Sequence, residues 1–330
     1  MLRVHWRETL EGVDRDGVQA LIEAARAEDD EAGFSSVTAE EFDRSSLDHA
    51  AHVVVRLLPR SSGRSEGLAQ DWADDELPLV AYLRLEVSGD RGEVGYLVHP
   101  SYRSLGISTL LFEQLGLDFF GPAGWHDTGA RSLLVWAHGA HPATERMSRR
   151  FGARPVRRLW RMTRPFHGEL ASELPPERGP DATAHVRSMT TDDRTAVDAV
   201  ARRCRGRDRV IGRWTVTDLR SFESGGGSID PDHTLVAEVG GEAVAAMVLS
   251  TEPGRNGAGR RTLPIRALLA DEETDPAVLE ELFVGALHAL DARGAWAATV
   301  YVDSEEIDVA KAALTASLEH EQSDVCYEIH

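Results

Sequence analysis

The sequence predicts a two-domain α/β protein in which one order of strands and helices occurs twice. The chain has 330 residues, which suits two domains of about 150 residues each. Strand-like runs alternate with helical stretches in the same order in both halves. A segment rich in proline, glycine and acidic residues, 167–181, is predicted to link domains 1–166 and 182–330.

In the first half, β-branched and aromatic runs between turn residues indicate strands, and apolar residues at helical spacing indicate helices. The predicted strands are 51–58, 79–87, 93–98, 132–137 and 156–163. The predicted helices are 15–28, 39–47, 106–119 and 143–151. Between the first two strands, the polar insertion 59–78 is predicted to form a mobile loop because Ser, Gly and Asp dominate it.

The second half repeats this order of elements. The predicted strands are 185–189, 234–239, 243–251, 262–269, 297–302 and 324–329. The predicted helices are one with Thr191 as its N-cap, then 216–222, 276–293 and 307–318. A glycine-rich stretch, 224–228, is predicted to be flexible. Sequence identity between the halves is low, so the order of elements alone supports the repeat.

Composition and charge narrow the possible functions. No apolar run reaches the roughly 20 residues of a membrane span, and the first residues lack the apolar core of a secretory signal. Two cysteines do not form a disulfide framework, so the cytoplasm is the expected compartment. The net charge of −19 disfavours nucleic acid and anionic membranes as partners. Lys311 is the only lysine, which we interpret as the arginine bias of a high-GC genome.

The strongest functional motif lies in 93–115, where a strand leads through a short loop into a helix. Backbone N–H groups at such a helix start, together with the helix dipole, favour an anion. Gly106 lets the backbone approach a ligand closely, Ser108 is small, and Arg103 adds a charged donor. The alternative interpretation is a simple glycine-containing turn before a helix.

This stretch resembles the pyrophosphate-binding motif of the GNAT superfamily of N-acetyltransferases, Arg/Gln-x-x-Gly-x-Gly/Ala, with Ser108 at the last position. The resemblance implies two tandem GNAT folds, each a mixed, mostly antiparallel sheet flanked by helices. It also implies acetyl-CoA as a substrate and no metal. The residues expected to bind acetyl-CoA are Leu97, Val98, Arg103, Ser104, Leu105, Gly106, Ile107 and Ser108.

The segment 135–166, with its Trp-Ala-His-Gly start and its Arg-x-Met-x-Arg-Pro end, resembles mycothiol synthases. These are actinobacterial two-domain GNAT enzymes that acetylate the cysteine amine of a cysteinyl-glucosaminyl-inositol. The segments 300–304 and 212–215 resemble the corresponding parts of the same enzymes. The resemblance implies an acetyltransferase of mycothiol biosynthesis that acts on a small-molecule amine and is expected to be a monomer.

The second half departs from this family at its own anion loop. Between 269 and 282 the sequence has no glycine loop and no arginine, and Asp271, Glu272, Glu273 and Asp275 stand where a pyrophosphate would bind. The strand 263–267 lacks the family's catalytic glutamate, and the helix 308–318 lacks its tyrosine. We therefore expect a degenerate second domain that does not bind CoA in the usual way.

Catalysis in the first domain requires a base that takes a proton from the amine. Glu93 and His138 are the candidates, and for each a purely structural role stays open. Tyr96 is interpreted as a core residue. The usual acid position falls near Met147 or Ser148, neither of which titrates usefully, but water can protonate a thiolate. The eight arginines of 146–164 could bind a phosphate, although a solvated basic face is the preferred interpretation.

Three functions therefore remain open at the level of sequence. The chain could be a mycothiol synthase that works from its first domain, a related acetyltransferase acting on another small amine, or a non-catalytic acetyl-CoA-binding sensor. His138 and His141 lie three residues apart, but they lack supporting carboxylates or cysteines, so no metal site is expected. Cys204 and Cys326 have no expected role in the chemistry.

Overall fold

A computed structural model describes residues 1–31, 50–58, 73–139, 142–177, 182–204, 229–250, 254–255 and 260–330. Within them the chain forms two compact units. Unit 1 consists of Met1–Val156 together with Val325–His330, and unit 2 consists of Arg157–Asp324. The predicted helices 39–47 and 216–222, the stretch 224–228 and most of the insertion 59–78 lie outside the described residues.

Unit 1 contains one mixed sheet with helices on both of its faces. Its elements are β1 (Leu2–Arg7), α1 (Gly12–Glu31), β2 (Ala50–Leu57), β3 (Leu79–Ser88), β4 (Arg91–Val98), α2 (Ile107–Leu115), β5 (Ser132–Ala137) and α3 (Pro142–Phe151). The strands lie in the order β1-β2-β3-β4-β5. All of these neighbours are antiparallel except β4 and β5, which are parallel.

Unit 2 has the same arrangement. Its elements are β6 (Arg154–Pro165, of which Arg157 onward belongs to this unit), β7 (His185–Ser188), α4 (Arg194–Arg203), β8 (Thr234–Val239), β9 (Glu242–Leu249), β10 (Gly254–Arg255), β11 (Arg261–Leu269), α5 (Pro276–Ala292), β12 (Ala297–Asp303), α6 (Ile307–Thr315) and β13 (Glu319–Ile329). The sheet order is β7-β8-β9-β11-β12-β6, with β10 beside β11. Again one pair of long strands, β11 and β12, is parallel.

Each unit includes one strand from the other half of the sequence: the end of β13 belongs to unit 1, and β6 contributes to unit 2. The end of β13 pairs antiparallel with β5 in unit 1, from Val325 opposite Ala137 to Ile329 opposite Leu133. In unit 2, β6 pairs antiparallel with β12, from Ala297 opposite Pro165 to Asp303 opposite Leu159. The two compact units therefore do not coincide with the two sequence halves. The domain limits 1–166 and 182–330 stay a prediction.

The described part of the predicted linker, 167–177, belongs to unit 2 and is held there by hydrogen bonds. Arg164 is buried, and its guanidinium donates to the backbone oxygens of Ser172 and Glu173 at 3.0 and 2.9 Å and to that of Ser317 at 3.1 Å. His288 Nε2 lies 2.8 Å from the backbone oxygen of Pro175. These contacts hold 167–177, although its composition indicated little to pack.

Most predicted elements are present, with shifted ends. The helix predicted over 106–119 ends at Leu115 because Gly116 takes a left-handed conformation with φ 72°. Thr191 is not the N-cap of the following helix. It lies in a 3-10 turn in which Thr190 and Asp193 cap each other, and α4 begins only at Arg194. The strand β1 was not predicted, although its alternation of apolar and basic residues is the pattern of a half-buried strand.

The two faces of β4 meet different neighbours. Val94, Tyr96 and Val98 lie in or against the core that includes Ile107, Leu111 and Phe112 of α2. On the other face, Leu97 packs with Tyr82 and with α1 residues Val18, Leu21, Ile22 and Ala25. This alternation follows from the pleat of the strand and defines two sides, called the α2 face and the α1 face below.

Candidate functional site

The parallel strands β4 and β5 of unit 1 pair over only part of their length. Their register runs from Arg91 opposite Ser132 to Val94 opposite Val135. Beyond Val94, β4 continues to Val98, paired only on its β3 side, where Ala81 lies opposite Val98. The ladder therefore opens beside 95–98. An extended ligand can pair with backbone at such an opening as an added strand does.

The loop after β4 turns the chain sharply toward α2. The His99 imidazole accepts a hydrogen bond from the Ser101 backbone N–H at 3.2 Å, and the Arg103 N–H donates to the Pro100 oxygen at 3.1 Å. Ser104 and Gly106 are left-handed, with φ values of 62° and 77°. A non-glycine residue rarely adopts this conformation, so the loop is held in an unusual shape.

Helix α2 begins without a side-chain cap. Gly106 is its N-cap residue, and no side chain among the described residues hydrogen-bonds to the cap. The first intrahelical bond is Leu110 N–H to the Gly106 oxygen, 3.0 Å. A Cβ built on Gly106 would meet nothing within 4 Å. The amides of the first turn thus have no side-chain cap among the described residues and lie at the positive end of the helix dipole, as in an anion site.

Arg103 does not present a free guanidinium to this loop. Its Nη1 and Nη2 lie 2.6 and 3.4 Å from the two carboxylate oxygens of Asp29 in α1, and its Nε donates to the Val98 oxygen at 3.3 Å. The Asp29 charge partly neutralises Arg103, and the Val98 carbonyl is partly occupied. Leu105 is 63% exposed at the loop tip.

Ser108, the position at which the motif departs from the family, contacts Tyr96 of β4. The Tyr96 hydroxyl donates to Ser108 Oγ at 3.2 Å. Burial raises the pKa of Tyr96 above its usual range although the Ser108 bond opposes the shift, so the phenol stays neutral. The Tyr96 ring packs beside Phe112, with centroids 5.7 Å apart. Its predicted place in the core is confirmed.

The two catalytic candidates, Glu93 and His138, lie at opposite ends of the opening. Glu93 is on the α1 face of β4, opposite Leu134 of β5 within the paired part of the ladder. His138 follows the last residue of β5, four residues and roughly 13 Å along the strand from Leu134. The structure therefore does not bring their side chains to the same level of the sheet.

The alternative acid positions in α3 hold hydrogen bonds within unit 1. Met147 sulfur accepts from Thr109 Oγ1 at 3.5 Å, and Ser148 Oγ donates to the Glu145 oxygen at 3.0 Å.

The arginine-rich segment 146–164 behaves mainly as a charge-balanced surface. Its ion pairs are Arg149 with Glu145, Arg150 with Glu113, Arg157 with Asp303 and Arg161 with Glu321.

A polar row on the α1 face was missed at the sequence level. His52 Nδ1 lies 2.5 Å from the Tyr82 hydroxyl, and strand register places His52 opposite Arg84 and Glu86 opposite Glu93. Burial, followed by the positive charge of Arg84, lowers the pKa of His52 to about 4. The available signal was His52 itself, a polar residue in the apolar run of β2.

Unit 2 also has a pair of parallel strands that pair over only part of their length, but the helix that follows begins with a side-chain cap. Strands β11 and β12 pair only from Thr262 opposite Ala297 to Pro264 opposite Thr299. The helix that follows β11, α5, is capped by Asp275, whose carboxylate accepts from the Ala277 N–H at 2.9 Å. An anion would have to displace this carboxylate, so the acidic loop and the cap act together against a diphosphate.

The structure shows three further features that bear on the possible chemistry. Among the residues it describes, no group of three or more His, Cys, Asp or Glu is arranged to hold a metal ion. In the same part of the chain, no helix is long and apolar enough to cross a membrane. Both cysteines, Cys204 and Cys326, are buried and are not joined in a disulfide.

Comparison with solved structures identifies the fold. A GCN5-related N-acetyltransferase from Sphaerobacter thermophilus superposes with a TM-score of 0.62 at 18% identity, covering 98% of this chain and 95% of that one. The chain has the GNAT fold, in tandem. A tandem GNAT protein from the clavulanic acid biosynthesis pathway gives a TM-score of 0.57 at 13% identity, with 99% and 98% coverage.

In sequence, the chain resembles mycothiol acetyltransferases. The protein from Saccharopolyspora erythraea is 36% identical over 130 residues, 38% of this chain and 41% of the relative. The one from Acidothermus cellulolyticus is 32% identical over 58% of this chain and 55% of the relative. The one from Thermobispora bispora is 29% identical over 74% and 76%. The match thus spans about half the length of the first two relatives. No protein-family model matches the chain.

Proposed function

We propose that this chain is an acetyl-CoA-dependent N-acetyltransferase and that acetyl-CoA binds to unit 1. One observation carries the proposal. In unit 1 an open strand ladder leads into left-handed Gly106 and an uncapped helix start, whereas Asp275 caps the equivalent helix of unit 2. The diphosphate of the substrate would bind the amides of α2, and its extended arm would run back along 95–98 of β4.

This placement favours Glu93 over His138 as the base. The phosphate end of the substrate lies at the loop that follows Val98, so the thioester lies toward the start of β4. Glu93 is five residues, or roughly 17 Å, back along the strand. Because β4 and β5 are parallel, His138 lies at the same end as the loop, near the phosphates instead of the reacting carbon.

In the proposed reaction the acceptor amine attacks the thioester carbonyl directly. A C–N bond forms, the C–S bond breaks, and its electron pair leaves with sulfur as the CoA thiolate. Glu93 accepts the proton that the amine loses, and water protonates the thiolate. Attack without a covalent enzyme intermediate needs no nucleophilic side chain. Unit 1 therefore supplies positioning and one proton acceptor.

The proposed acceptor is the cysteine amine of cysteinyl-glucosaminyl-inositol. The similarity to mycothiol acetyltransferases over 74% of the chain supports it. The alternatives are a GNAT enzyme for another small amine and a non-catalytic acetyl-CoA sensor. We also propose that the protein acts in the cytoplasm as a monomer, and two cysteines that form no disulfide suit a reducing compartment.

To test the acetyl-CoA site, we would introduce at the start of α2 an aspartate like the one that caps α5 in unit 2. In Gly106→Asp the new carboxylate would lie where the diphosphate binds. We expect calorimetry to show at least a hundredfold weaker acetyl-CoA binding, because like charges repel strongly in a partly desolvated site. Gly106→Asn is the matched control. Asparagine tolerates the same left-handed conformation, φ 77° and ψ 13°, and has nearly the shape of aspartate without its charge, so this variant should bind far more tightly than Gly106→Asp.

Each outcome separates the candidate functions. Loss of binding in Gly106→Asp alone, with thiol release from acetyl-CoA when the cysteinyl-glucosaminyl-inositol is added, supports the full proposal. Binding without turnover of this acceptor, or of other small amines, favours the sensor. Equal binding by the Gly106→Asp variant and the wild type would overturn the site in unit 1.

A further inference from the structure

The hydroxyl pair of Tyr96 and Ser108 lies at the start of the helix that faces the proposed diphosphate. Tyr96 is partly buried against the core of unit 1, and the only hydrogen-bond partner of its hydroxyl among the described residues is Ser108 Oγ, 3.2 Å away. A phenol that is shielded from water and does not donate its hydrogen pays a desolvation cost. The proton on this bond therefore belongs to Tyr96, and Ser108 is the acceptor.

This direction determines what Ser108 can do with its own proton. A serine hydroxyl has one O–H donor and two acceptor lone pairs. With a lone pair taken by Tyr96, the Ser108 hydrogen has no acceptor elsewhere in the described structure. Ser108 is the second residue of α2, in the turn whose amides have no side-chain cap. Its hydroxyl is therefore an additional donor at an anion-binding helix start.

We propose that Ser108 donates a side-chain hydrogen bond to the diphosphate of bound acetyl-CoA, and that Tyr96 is a positioning residue that orients this hydroxyl. The inference rests on the proposed function. The related motif has Gly or Ala here, neither of which has a side-chain donor. The extra donor suits a loop in which Asp29 binds Arg103, because a neutral hydroxyl adds a contact without a further desolvated charge.

The same helix turn contains a matched control. Thr109, the next residue, also has a hydroxyl, but its Oγ1 donates to Met147 sulfur at 3.5 Å. Its proton is therefore committed to the protein interior. Thr109→Val removes a hydroxyl from the same turn, and the near-isosteric side chain leaves the backbone amides in place. A general effect of losing a hydroxyl near the helix start would appear in both variants.

The experiment is calorimetric titration of acetyl-CoA into the wild type, Ser108→Ala, Tyr96→Phe, the double variant and Thr109→Val, with thermal unfolding of each. We expect Kd to rise at least about tenfold in Ser108→Ala, as for a lost hydrogen bond to a charged group, and about threefold in Tyr96→Phe. In the Ser108→Ala background, Tyr96→Phe should have no further effect on Kd. Ser108→Thr keeps the hydroxyl and should retain affinity.

The outcomes distinguish this inference from the proposed function. A Ser108→Ala variant that binds as tightly as the wild type overturns the role of Ser108. A Tyr96→Phe effect that adds to that of Ser108→Ala, or a change in melting temperature alone, overturns the positioning role of Tyr96. A wild type that fails to bind acetyl-CoA overturns the proposed function, whichever variant is compared.

Discussion

At the residue scale, unit 1 differs most from expectation in how its charged side chains are paired. The sequence suggested Arg103 as a free donor to phosphate, but its guanidinium binds Asp29, 74 positions earlier in the chain. The polar row beside Glu93 likewise joins residues from three strands, and burial lowers the pKa of its member His52 to about 4. Both arrangements depend on contacts between residues far apart in the chain, and only His52, a polar residue in an apolar run, gave a local signal.

His52 should make folding stability depend on pH. Its folded-state pKa is lowered to about 4, while in the unfolded chain it is near 6.5. Between these values only the unfolded state binds the proton, so stability is full above pH 6.5 and falls as the pH is lowered toward 4. Because His52 is partly exposed, we expect a loss of about 1 kcal/mol in total, less than full desolvation would give.

The measurement is urea unfolding of the wild type and of His52→Asn from pH 7 to pH 4. Asparagine keeps an acceptor toward Tyr82 and does not titrate. The difference in unfolding free energy between the two proteins should shift in favour of the variant as the pH falls. A difference that does not change with pH would show that His52 is protonated equally in both states.

At the element scale, the two units contrast in how the helix after the open strand begins. Most element positions were predictable, because β-branched runs and helical spacing are local properties, and β5 and β8 match their predicted ranges. The end of α2 and the 3-10 turn before α4 were not predicted. Backbone hydrogen bonds from Gly116 to Phe112 and from Asp193 to Thr190 fix these ends. The spacing of apolar residues does not predict such bonds.

The cap of α5 gives a prediction for unit 2. Asp275→Ala removes the bond to the Ala277 N–H, and we expect this to destabilise the protein by about 1 kcal/mol, measured by chemical unfolding. Acetyl-CoA affinity and a stoichiometry of one should not change, because unit 1 holds the proposed site. A second molecule of acetyl-CoA bound to the variant would show that the cap alone closes the site in unit 2.

At the scale of the whole molecule, the exchange of strands between sequence halves makes each compact unit depend on distant residues. Unit 1 contains Val325–His330, and β13 covers β5 along 133–137. Ser132 also donates to the Glu328 carboxylate at 3.0 Å. Without these residues β5 would be an exposed sheet edge with unpaired backbone groups.

Truncation after Asp324 tests this dependence. We expect weaker acetyl-CoA binding, a lower melting temperature and faster proteolysis within 1–156 than in the intact chain, because β5 supports one side of the proposed opening. The control is deletion of His330 alone, which lies beyond the end of β13. If the truncated protein bound acetyl-CoA as the intact chain does, the C-terminal strand would be unnecessary for the site.

The sequence by itself determined the positions of most strands and helices, the strand-loop-helix motif of 93–108 and the acidic replacement of that motif in the second half. These features follow from side-chain periodicity, glycine conformation and local charge. The tertiary structure alone decided which strands pair, where the β4–β5 ladder opens and which carboxylate binds Arg103. Those outcomes depend on contacts between residues far apart in the chain, whose free energies are set by packing and register and not by any local pattern.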